Sequence, residues 1–210
     1  MRILVIAGST WIKIDQIRIL TNRFTGKTGL YVASQLKKKG HSVTLLINNH
    51  CIGKISNLKV VSYRFFDELK SKLIKLLGSR QYDAIVHMAA VSDYKVKKTY
   101  KGKIASGRKT LNLQLVPTEK LVKKIRSMAK NSLLIQFKLE PKRKKIIDEA
   151  YWSLRENRSD FVVANALEDL GLGYKGFLID KKKNVKPLAS KAALVAALDR
   201  IIRLKDQKKH

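Results

Sequence analysis

The sequence predicts an α/β protein with a doubly wound, mostly parallel, Rossmann-like sheet. Apolar runs that suit buried parallel strands alternate with segments of helical period, and 210 residues suffice for one core without disulfides or metal. No repeat or linker divides the chain, so we expect a single domain over residues 1–210. In such sheets ligands bind outside the carboxyl ends of the strands, and functional residues are expected at that edge.

Each element has its own local signal. Continuous apolar runs bounded by turn residues predict strands over residues 2–7, 42–49, 58–63, 82–91, 132–139, 161–165 and 176–180. Apolar residues spaced for one helical face predict helices over residues 28–39, 66–77, 117–129, 146–158 and 191–204, the first of them stopped by Gly40.

A flap is predicted after the fourth strand. Residues 92–108 are polar, basic and rich in turn formers, without a helical period. The segment LNLQLV, residues 111–116, alternates apolar and polar residues as a half-exposed strand does. A long loop followed by a short strand indicates an antiparallel extension of the sheet.

The chain is strongly basic, with 45 Lys and Arg against 16 Asp and Glu and a formal charge of +29. Such a surface attracts anions, and a pI near 10.3 is an expected property of nucleic-acid-binding proteins. The basic residues come in scattered groups, and no recognition helix, zinc finger or RNA-binding signature accompanies them. Solvated faces and small phosphorylated substrates are the favoured explanation, and no nucleic acid partner is expected.

Cysteine content and hydropathy indicate a soluble, cytoplasmic protein without a membrane partner. The single cysteine, Cys51, has no partner for an internal disulfide, which points to a reducing compartment. An incidental role for Cys51 is favoured over catalysis. The amino-terminal apolar run is too short to span a membrane and lacks a cleavage pattern.

The segment TGKTG, residues 25–29, suggests a phosphate-binding loop. The Walker motif needs a glycine five residues before the Gly-Lys pair, and that position is Thr21. The motif is therefore rejected. Gly26 and Gly29 still allow backbone amides to approach an anion closely, and the following helix offers its amino end.

The dinucleotide interpretation is also weak. No GxGxxG follows Gly8, and the second strand ends in Asn48 and Asn49, where an NAD ribose usually requires a carboxylate. Tyr94 and Lys98 have the YxxxK spacing of short-chain dehydrogenases, but they lie in a predicted loop. A Rossmann-type oxidoreductase remains the alternative enzyme class, and a basic nucleic-acid-binding domain remains the alternative outside enzymes.

Several other residues are expected to be structural. His87 lies inside an apolar strand, where a core histidine with satisfied hydrogen bonds is the favoured interpretation. Trp11 and Trp152 are expected to pack, and Asn165 is expected to have a structural role. No Cys/His cluster has zinc spacing, and no Ser/His/Asp set is evident.

Polar and small residues recur where strands end. They are Gly8, Ser9, Thr10, Asp15, Arg18, Asn22, Ala89, Ala90, Asp93, Lys103, Phe137 and Asn165. Because the carboxyl ends of parallel strands meet at one edge, these residues are expected to converge on an active site.

At these residues the chain resembles the phosphopantothenoylcysteine synthetase family, which acts in coenzyme A assembly. The resemblance rests on GSTWIKIDQIRILTNRFTGKTG (8–29), AAVSDY (89–94), KIASGR (103–108), LNLQLVPTEKLV (111–122), FKLE (137–140), FVVAN (161–165) and SKAAL (190–194). It covers nearly the whole chain in order. The flavin-containing decarboxylase that precedes this domain in many bacteria is not seen, so the unfused form without flavin is expected.

The resemblance implies a ligase that activates the carboxylate of 4′-phosphopantothenate with CTP or ATP. Pyrophosphate leaves, and the amine of cysteine then displaces the nucleotide from the acyl intermediate to form an amide. Magnesium is the implied counterion of the triphosphate, although the resemblance identifies no metal ligands. A homodimer is also implied, with the flap bordering the partner's site.

The resemblance also implies roles for particular residues. Asn22, Lys103 and Arg18 correspond to catalytic positions, with the Asn22 amide donating to the acyl carbonyl and Lys103 facing the triphosphate. The implied substrate-binding residues are Arg18, Asn22, Gly26 and Ala90. The implied nucleotide-binding residues are Gly8, Ser9, Thr10, Ala89, Ala90, Asp93, Lys103, Val116, Pro117, Thr118, Glu119 and Phe137.

The chain departs from the family pattern in several places. Ser9 replaces a glycine, Phe24 and Thr25 replace paired serines, and Trp152 and Glu156 stand where lysines are expected. Ile12 and Lys13 occupy the region of a usual glutamate. The FKLE segment resembles unfused or eukaryotic-type members, which differ in nucleotide, so CTP and ATP both stay open.

Overall fold

Eight strands form one central sheet in the computed structural model, which describes residues 1–50, 52–53, 55–107, 109–169, 171 and 173–207. In chain order the strands are β1 Arg2–Ala7, β2 Trp11–Lys13, β3 Ile19–Thr21, β4 Ser42–Ile47, β5 Lys59–Ser62, β6 Ala84–His87, β7 Tyr94–Val96, β8 Leu115–Pro117, β9 Leu133–Glu140, β10 Phe161–Ala166, β11 Gly176–Asp180 and β12 Val185–Leu188. The helices are α1 Lys27–Lys38, α2 Phe66–Ser79, α3 Leu121–Met128, α4 Ile146–Glu156 and α5 Lys191–Gln207. Short 3₁₀ turns cover Arg143–Lys145 and Leu167–Asp169.

The sheet has the order β12-β11-β10-β9-β6-β1-β4-β5. The six strands from β10 to β5 are mutually parallel, and β11 and β12 continue the sheet antiparallel. From β1 the chain winds outward to β4 and β5, then returns to place β6 on the other side of β1. This reversal leaves a crevice at the carboxyl ends of β1 and β6, and it confirms the predicted fold class.

Strand β1 is at the centre of the core. Ile3 and Val5 face α1 and α5, whereas Leu4 and Ile6 face α2 and α3, and all four side chains are completely buried. A strand covered on both faces has no room for polar alternation, which explains the continuous apolar run. Each such burial contributes roughly 1.5–3 kcal/mol. Helix α4 packs on β9 and β10 beside these layers.

The predicted flap is confirmed as a two-stranded antiparallel ribbon of β7 and β8, joined by the long 97–114 loop. The predicted strand over residues 111–116 overlaps β8 only at its end, and the helix predicted from Pro117 begins at Leu121 because Pro117 pairs with Tyr94. Strand β6 ends at His87, before the predicted end at residue 91, although Met88 and Ala90 still donate to the carbonyls of Ile6 and Gly8 beside it.

Four short strands were not predicted. Strands β2 and β3 form a hairpin within residues 11–21, β7 lies in the predicted loop 92–108, and β12 adds the last strand of the sheet. All of β3 is exposed and β12 is mostly exposed, so neither carries a buried apolar run. Cys51, Arg108 and His210 lie outside the described residues. No helix in the described part of the chain has the length and hydropathy to cross a bilayer.

Candidate active site

A cavity of about 930 Å³ opens at the carboxyl ends of the parallel strands. Its walls come from the loop before α1, the loop after β6, the amino end of α3, the ends of β9 and β10, and one side of α4. The cavity lies over the crevice between β1 and β6, which is the usual ligand position in a doubly wound sheet.

Three glycines bring the amino end of α1 against the end of β1. Gly8 and Gly26 have φ of +85° and +84°, and a Cβ on Gly26 would lie 2.8 Å from the Gly8 nitrogen. A Cβ on Gly29 would lie 2.3 Å from the Ala7 Cβ. Only glycine allows these approaches. Helix α1 has no acidic residue in its first turn and no side-chain cap, so its first N–H groups can receive an anion in the cavity.

Buried hydroxyls hold the loops after β1 and β6 together. The Thr10 hydroxyl donates to the Ser92 Oγ at 3.0 Å and accepts from the Ser92 N–H at 2.8 Å. Thr10 is completely buried, and the Ser9 Oγ accepts from the Thr21 hydroxyl at 3.2 Å. The geometry thus gives Thr10 a positioning role, because none of its surface can reach a ligand.

Tyr63 holds the end of β1 in place through its hydroxyl group. Its hydroxyl contacts the Ala7 and Gly8 carbonyl oxygens at 2.8 and 3.1 Å. Burial raises the pKa of Tyr63 well above its ordinary value, so the phenol remains a neutral donor. The strand end that carries Gly8 is therefore held in one position.

Asn22 lies between the hairpin and α1 and faces the cavity. Its Nδ2 donates to the Ala90 carbonyl at 3.1 Å, which aims the side chain across the crevice toward the loop after β6. An amide nitrogen has two hydrogens, and its oxygen is an acceptor. The same nitrogen lies 3.5 Å from the Val91 carbonyl, at the limit of a hydrogen bond, so a bound molecule can compete for one N–H while the other anchors the side chain.

Asp15 connects the hairpin to the flap. It is buried and accepts from the N–H groups of Ile17, Arg18 and Ile104 at 2.8, 2.6 and 3.1 Å, and from the Arg18 guanidinium at 2.5 Å. Burial alone would raise the pKa of Asp15, but these donors hold it well below the ordinary value. The Arg18 guanidinium also donates to the carbonyl of Ile104, the residue after Lys103, at 3.3 Å, and neither Arg18 nor Lys103 lines the cavity.

The second flap strand leads into α3 at the rim of the cavity. The Thr118 N–H and hydroxyl donate to the carbonyls of Asp93 and Ser92 at 2.9 and 2.6 Å, which fixes the loop after β6 to the start of α3. The Asp93 carboxylate pairs with Lys120 at 2.6 Å, and Glu119 pairs with Lys70 at 2.6 Å. The hydrogen bond from Lys70 lowers the pKa of Glu119, so this rim keeps anionic groups.

A neutral hydrogen-bonding network forms the wall between β9 and α4. Gln136 donates to the Ser153 Oγ at 3.1 Å, and its oxygen accepts from the Asn157 amide at 3.1 Å and the Ser159 hydroxyl at 3.0 Å. Gln136, Ser153 and Asn157 line the cavity. A glutamine inside the apolar run LLIQF is the one sequence signal that could have indicated this network.

His87 belongs to the same wall. Its Nδ1 is buried and has no hydrogen-bond partner among the described residues, so the expectation of a satisfied core histidine is wrong. His87 is the last residue of β6 and pairs with Ile6 and Gln136, and its side chain lies at the cavity wall, where the described residues offer Nδ1 no hydrogen-bond partner. Burial lowers the pKa of His87 to about 4, and the imidazole is neutral near pH 7.

The two tryptophans differ in how far their side chains pack against the protein. Trp11 packs edge-on against His50 and Phe65 with ring centroids at 4.7 and 5.9 Å, as expected. Trp152 is 69% exposed, so the expectation that it packs is wrong. It lies on the polar side of α4 and lines the cavity, and Glu156 follows it one turn later.

A model of the DNA/pantothenate metabolism flavoprotein C-terminal domain family matches residues 1–203. The chain belongs to this family. The resemblance drawn from its motifs is thereby confirmed. The coenzyme A biosynthesis bifunctional protein CoaBC of Thermococcus kodakarensis is 33% identical over 172 residues, which is 81% of this chain and 42% of that protein. The chain spans about half the length of the curated relatives it matches.

Solved structures show the same fold. The DNA/pantothenate metabolism flavoprotein of Streptococcus pneumoniae superposes with a TM-score of 0.84 at 23% identity, with all of both chains covered. A Cab2 mutant in complex with phosphopantothenate-cysteine gives a TM-score of 0.78 at 17% identity over 98% of this chain and 88% of that one. The family fold therefore extends over the described chain.

In this family member most of the residues predicted to form the site meet at the cavity. Those that line it are Gly8, Asn22, Gly26, Ala89, Ala90, Asp93, Thr118, Glu119 and Phe137. Those outside its walls are Ser9, Thr10, Arg18, Lys103, Val116 and Pro117. The described residues contain no group of three or more His, Cys, Asp and Glu side chains able to hold a metal ion.

Proposed function

We propose that the chain is a nucleoside-triphosphate-dependent ligase that joins 4′-phosphopantothenate to cysteine. The observation that carries the proposal is that Asn22 and the uncapped amino end of α1 line the same cavity. Membership of the family supports it, as do the T. kodakarensis relative named for coenzyme A biosynthesis and the Cab2 complex with phosphopantothenate-cysteine.

In the first step, a carboxylate oxygen of 4′-phosphopantothenate attacks the α-phosphorus of the triphosphate, and pyrophosphate leaves. Negative charge accumulates on phosphate oxygens, which fixed N–H donors stabilise better than mobile water. The first turn of α1 supplies such donors, and Lys27 adds a cation on the cavity wall. Gly8 and Gly26 keep that end of the cavity open to the phosphates.

In the second step, the cysteine amine attacks the acyl carbonyl, and the nucleoside monophosphate leaves as the amide forms. The carbonyl oxygen gains negative charge in the transition state. The N–H of Asn22 that is not used by Ala90 donates to that oxygen. A neutral amide suits both steps because it does not form an ion pair with the attacking carboxylate of the first step.

We further propose a homodimer in which the hairpin and flap reach the partner's cavity. Ile17, Leu20 and Leu115 are 65%, 39% and 41% exposed on these elements, which is apolar surface that a second subunit would cover. Arg18 lies in the hairpin and Lys103 in the flap, and neither lines the cavity of its own subunit. Asp15 joins these two elements by accepting from Arg18 and from the Ile104 N–H. In the dimer they would supply positive charge to the triphosphate of the other subunit.

Magnesium would enter as part of the nucleotide substrate. Mg²⁺ is commonly bound through substrate phosphates, water and one or two carboxylates. That pattern fits a cavity with single carboxylates such as Asp93 and without a metal-binding cluster among the described residues. Neither step transfers electrons, so the proposal requires no flavin.

The oxidoreductase alternative fits less well. In a dinucleotide fold the end of the second strand presents a carboxylate to the ribose. Here Asn48 holds that position, is buried, and donates to the Ser9 carbonyl at 2.9 Å. Residues 8–26 also separate β1 from α1 where the dinucleotide fingerprint has a tight turn.

The test is pyrophosphate release by the purified protein with 4′-phosphopantothenate, cysteine, magnesium and either CTP or ATP. We expect stoichiometric formation of 4′-phosphopantothenoylcysteine with at least one nucleotide. Omission of cysteine should limit release to a single turnover, since the acyl nucleotide then has no acceptor. No release with either nucleotide would refute the proposal, and the ratio of the two rates would identify the cosubstrate.

A further inference from the structure

Trp152 has no role in the packing of α4. The apolar stripe of this helix is Ile146, Ala150 and Leu154, all buried against β10. Trp152 lies off that stripe and is 69% exposed, and its one aromatic neighbour among the described residues is Tyr151, at 6.3 Å between ring centroids. A large flat side chain left in solvent at the mouth of a cavity offers a face for a planar ligand.

The two ends of the cavity differ in charge. The α1 end has helix N–H groups and Lys27, whose ammonium has no ion pair within the described part of the chain. The α4 end has Glu149 and Glu156 on either side of Trp152. Glu156 is paired with Lys123 at 2.7 Å, so among the residues that the structure describes this end has no unpaired cation comparable to Lys27 next to Trp152. The helix N–H groups and Lys27 therefore favour phosphates at the α1 end, and the neutral part of a nucleotide is directed toward α4.

The surface beside Trp152 suits an uncharged polar ring. The network of Gln136, Ser153 and Asn157, all of which line the cavity, presents amides and a hydroxyl there. Nucleobases have donors and acceptors on their edges and aromatic faces above and below. A base in this position would have its face toward Trp152 and its edge toward neutral groups.

We propose that Trp152 stacks on the nucleobase of the triphosphate and so positions the nucleotide with its phosphates toward α1. This inference rests on the proposed function for the identity of the ligand. 4′-Phosphopantothenate contains no aromatic ring and cannot make this contact. Stacking of a base on an aromatic side chain contributes enough that its removal weakens binding about fivefold to 150-fold.

Intrinsic fluorescence tests the contact directly, since the chain has two tryptophans. In the full-length protein with Trp11→Phe, Trp152 is the sole reporter, and we expect CTP or ATP to quench it while inorganic tripolyphosphate does not. The difference signal between wild type and Trp152→Phe gives the same information if Trp11→Phe fails to fold. Absence of base-dependent quenching would overturn the inference.

Substitutions at Trp152 provide a second test of the contact. Trp152→Ala should weaken nucleotide binding about fivefold to 150-fold, seen as a higher nucleotide Kd and KM. Its affinity for tripolyphosphate and its Michaelis constant for the phosphopantothenate substrate should stay unchanged. Trp152→Phe should restore most of the nucleotide affinity. The matched control is Tyr151→Ala, which removes the adjacent aromatic from a position outside the cavity wall and should not change nucleotide binding.

The outcomes separate this inference from the proposed function. Base-dependent quenching in a protein without ligase activity supports the Trp152 contact and refutes the reaction alone. Ligase activity with an unchanged nucleotide KM in Trp152→Ala refutes the contact alone. If Trp152→Ala dissociates a dimer but binds nucleotide normally, Trp152 contacts a partner subunit and the inference is wrong. Failure to bind either nucleotide overturns both.

Discussion

Asn22→Ala gives the sharpest test of the proposed mechanism. The side chain is exposed and makes one hydrogen bond within normal distance, at 3.1 Å to the Ala90 carbonyl. Water can replace that donor in the open cavity, so the free energy of unfolding should fall by only about 0.5–1 kcal/mol. Loss of a donor to a developing oxyanion should reduce kcat for amide formation about 100- to 1000-fold, which is about 2.7–4 kcal/mol in the barrier.

Rapid-quench measurements at enzyme concentrations above the nucleotide concentration separate the two steps. In Asn22→Ala, pyrophosphate should appear before 4′-phosphopantothenoylcysteine, and the acyl nucleotide should accumulate. Asn165→Ala is the matched control. It removes a cavity-lining amide that donates to the Lys175 carbonyl at 2.7 Å at the end of β10, and it should leave the second step at the wild-type rate.

Two results would refute the reasoning. Equal turnover by Asn22→Ala and wild type would remove Asn22 from the mechanism. A large fall in the free energy of unfolding, with loss of nucleotide binding, would show that Asn22 is a structural residue whose bond to Ala90 holds the loops together.

The remaining predictions concern the framework of the site. Gly29→Ala should lower the free energy of unfolding by about 1–3 kcal/mol in urea denaturation, because the new Cβ would lie 2.3 Å from that of Ala7. Gly78→Ala lies within α2, and its new Cβ would meet no described atom within 4 Å, so it should instead raise the free energy of unfolding by about 0.5–1 kcal/mol. Tyr63→Phe should lower it by about 1 kcal/mol, since the end of β1 loses a buried donor. Asp160→Asn should lower it by about 2 kcal/mol at pH 7, because a guanidinium at 2.6 Å and a backbone N–H at 2.8 Å lose their charged acceptor. These donors hold the Asp160 pKa below its ordinary value although burial alone raises it, so the stabilisation is complete above about pH 4 and the two proteins should converge as the pH falls further.

The sequence predicted the parallel strands well because burial on both faces leaves a continuous apolar signal. The run RILVIA coincides with β1, and GFLID coincides with β11. The flap could be predicted from its polar composition, but its ribbon could not be placed, because β7 and β8 are three residues each and mostly exposed. Short exposed strands are determined by their partners, which a single sequence does not reveal.

The site was partly predictable for a similar reason. Asn22 and Ala90 come from motifs next to strand ends, and a parallel sheet brings such ends to one edge. The cavity residues on α4 were harder to predict from the sequence, because the environment of a helical residue depends on how the helix is rotated against the sheet. Trp152 is one position from Tyr151, yet only Trp152 faces the cavity. Periodicity alone could not decide between packing and exposure for either residue.

The insertion between β1 and α1 explains why neither spacing motif is found although α1 offers its uncapped amino end to the cavity. Gly8 and Gly26 are 18 positions apart, yet a Cβ on Gly26 would lie 2.9 Å from the Gly8 Cα. In a dinucleotide fingerprint such contacts arise within one tight turn. Here the chain first forms the β2–β3 hairpin and then returns to the end of β1, where Gly26 packs against Gly8. The insertion contains Arg18 in the hairpin and Asn22 at the cavity, so the departure from the motif also supplies two of the three proposed catalytic residues.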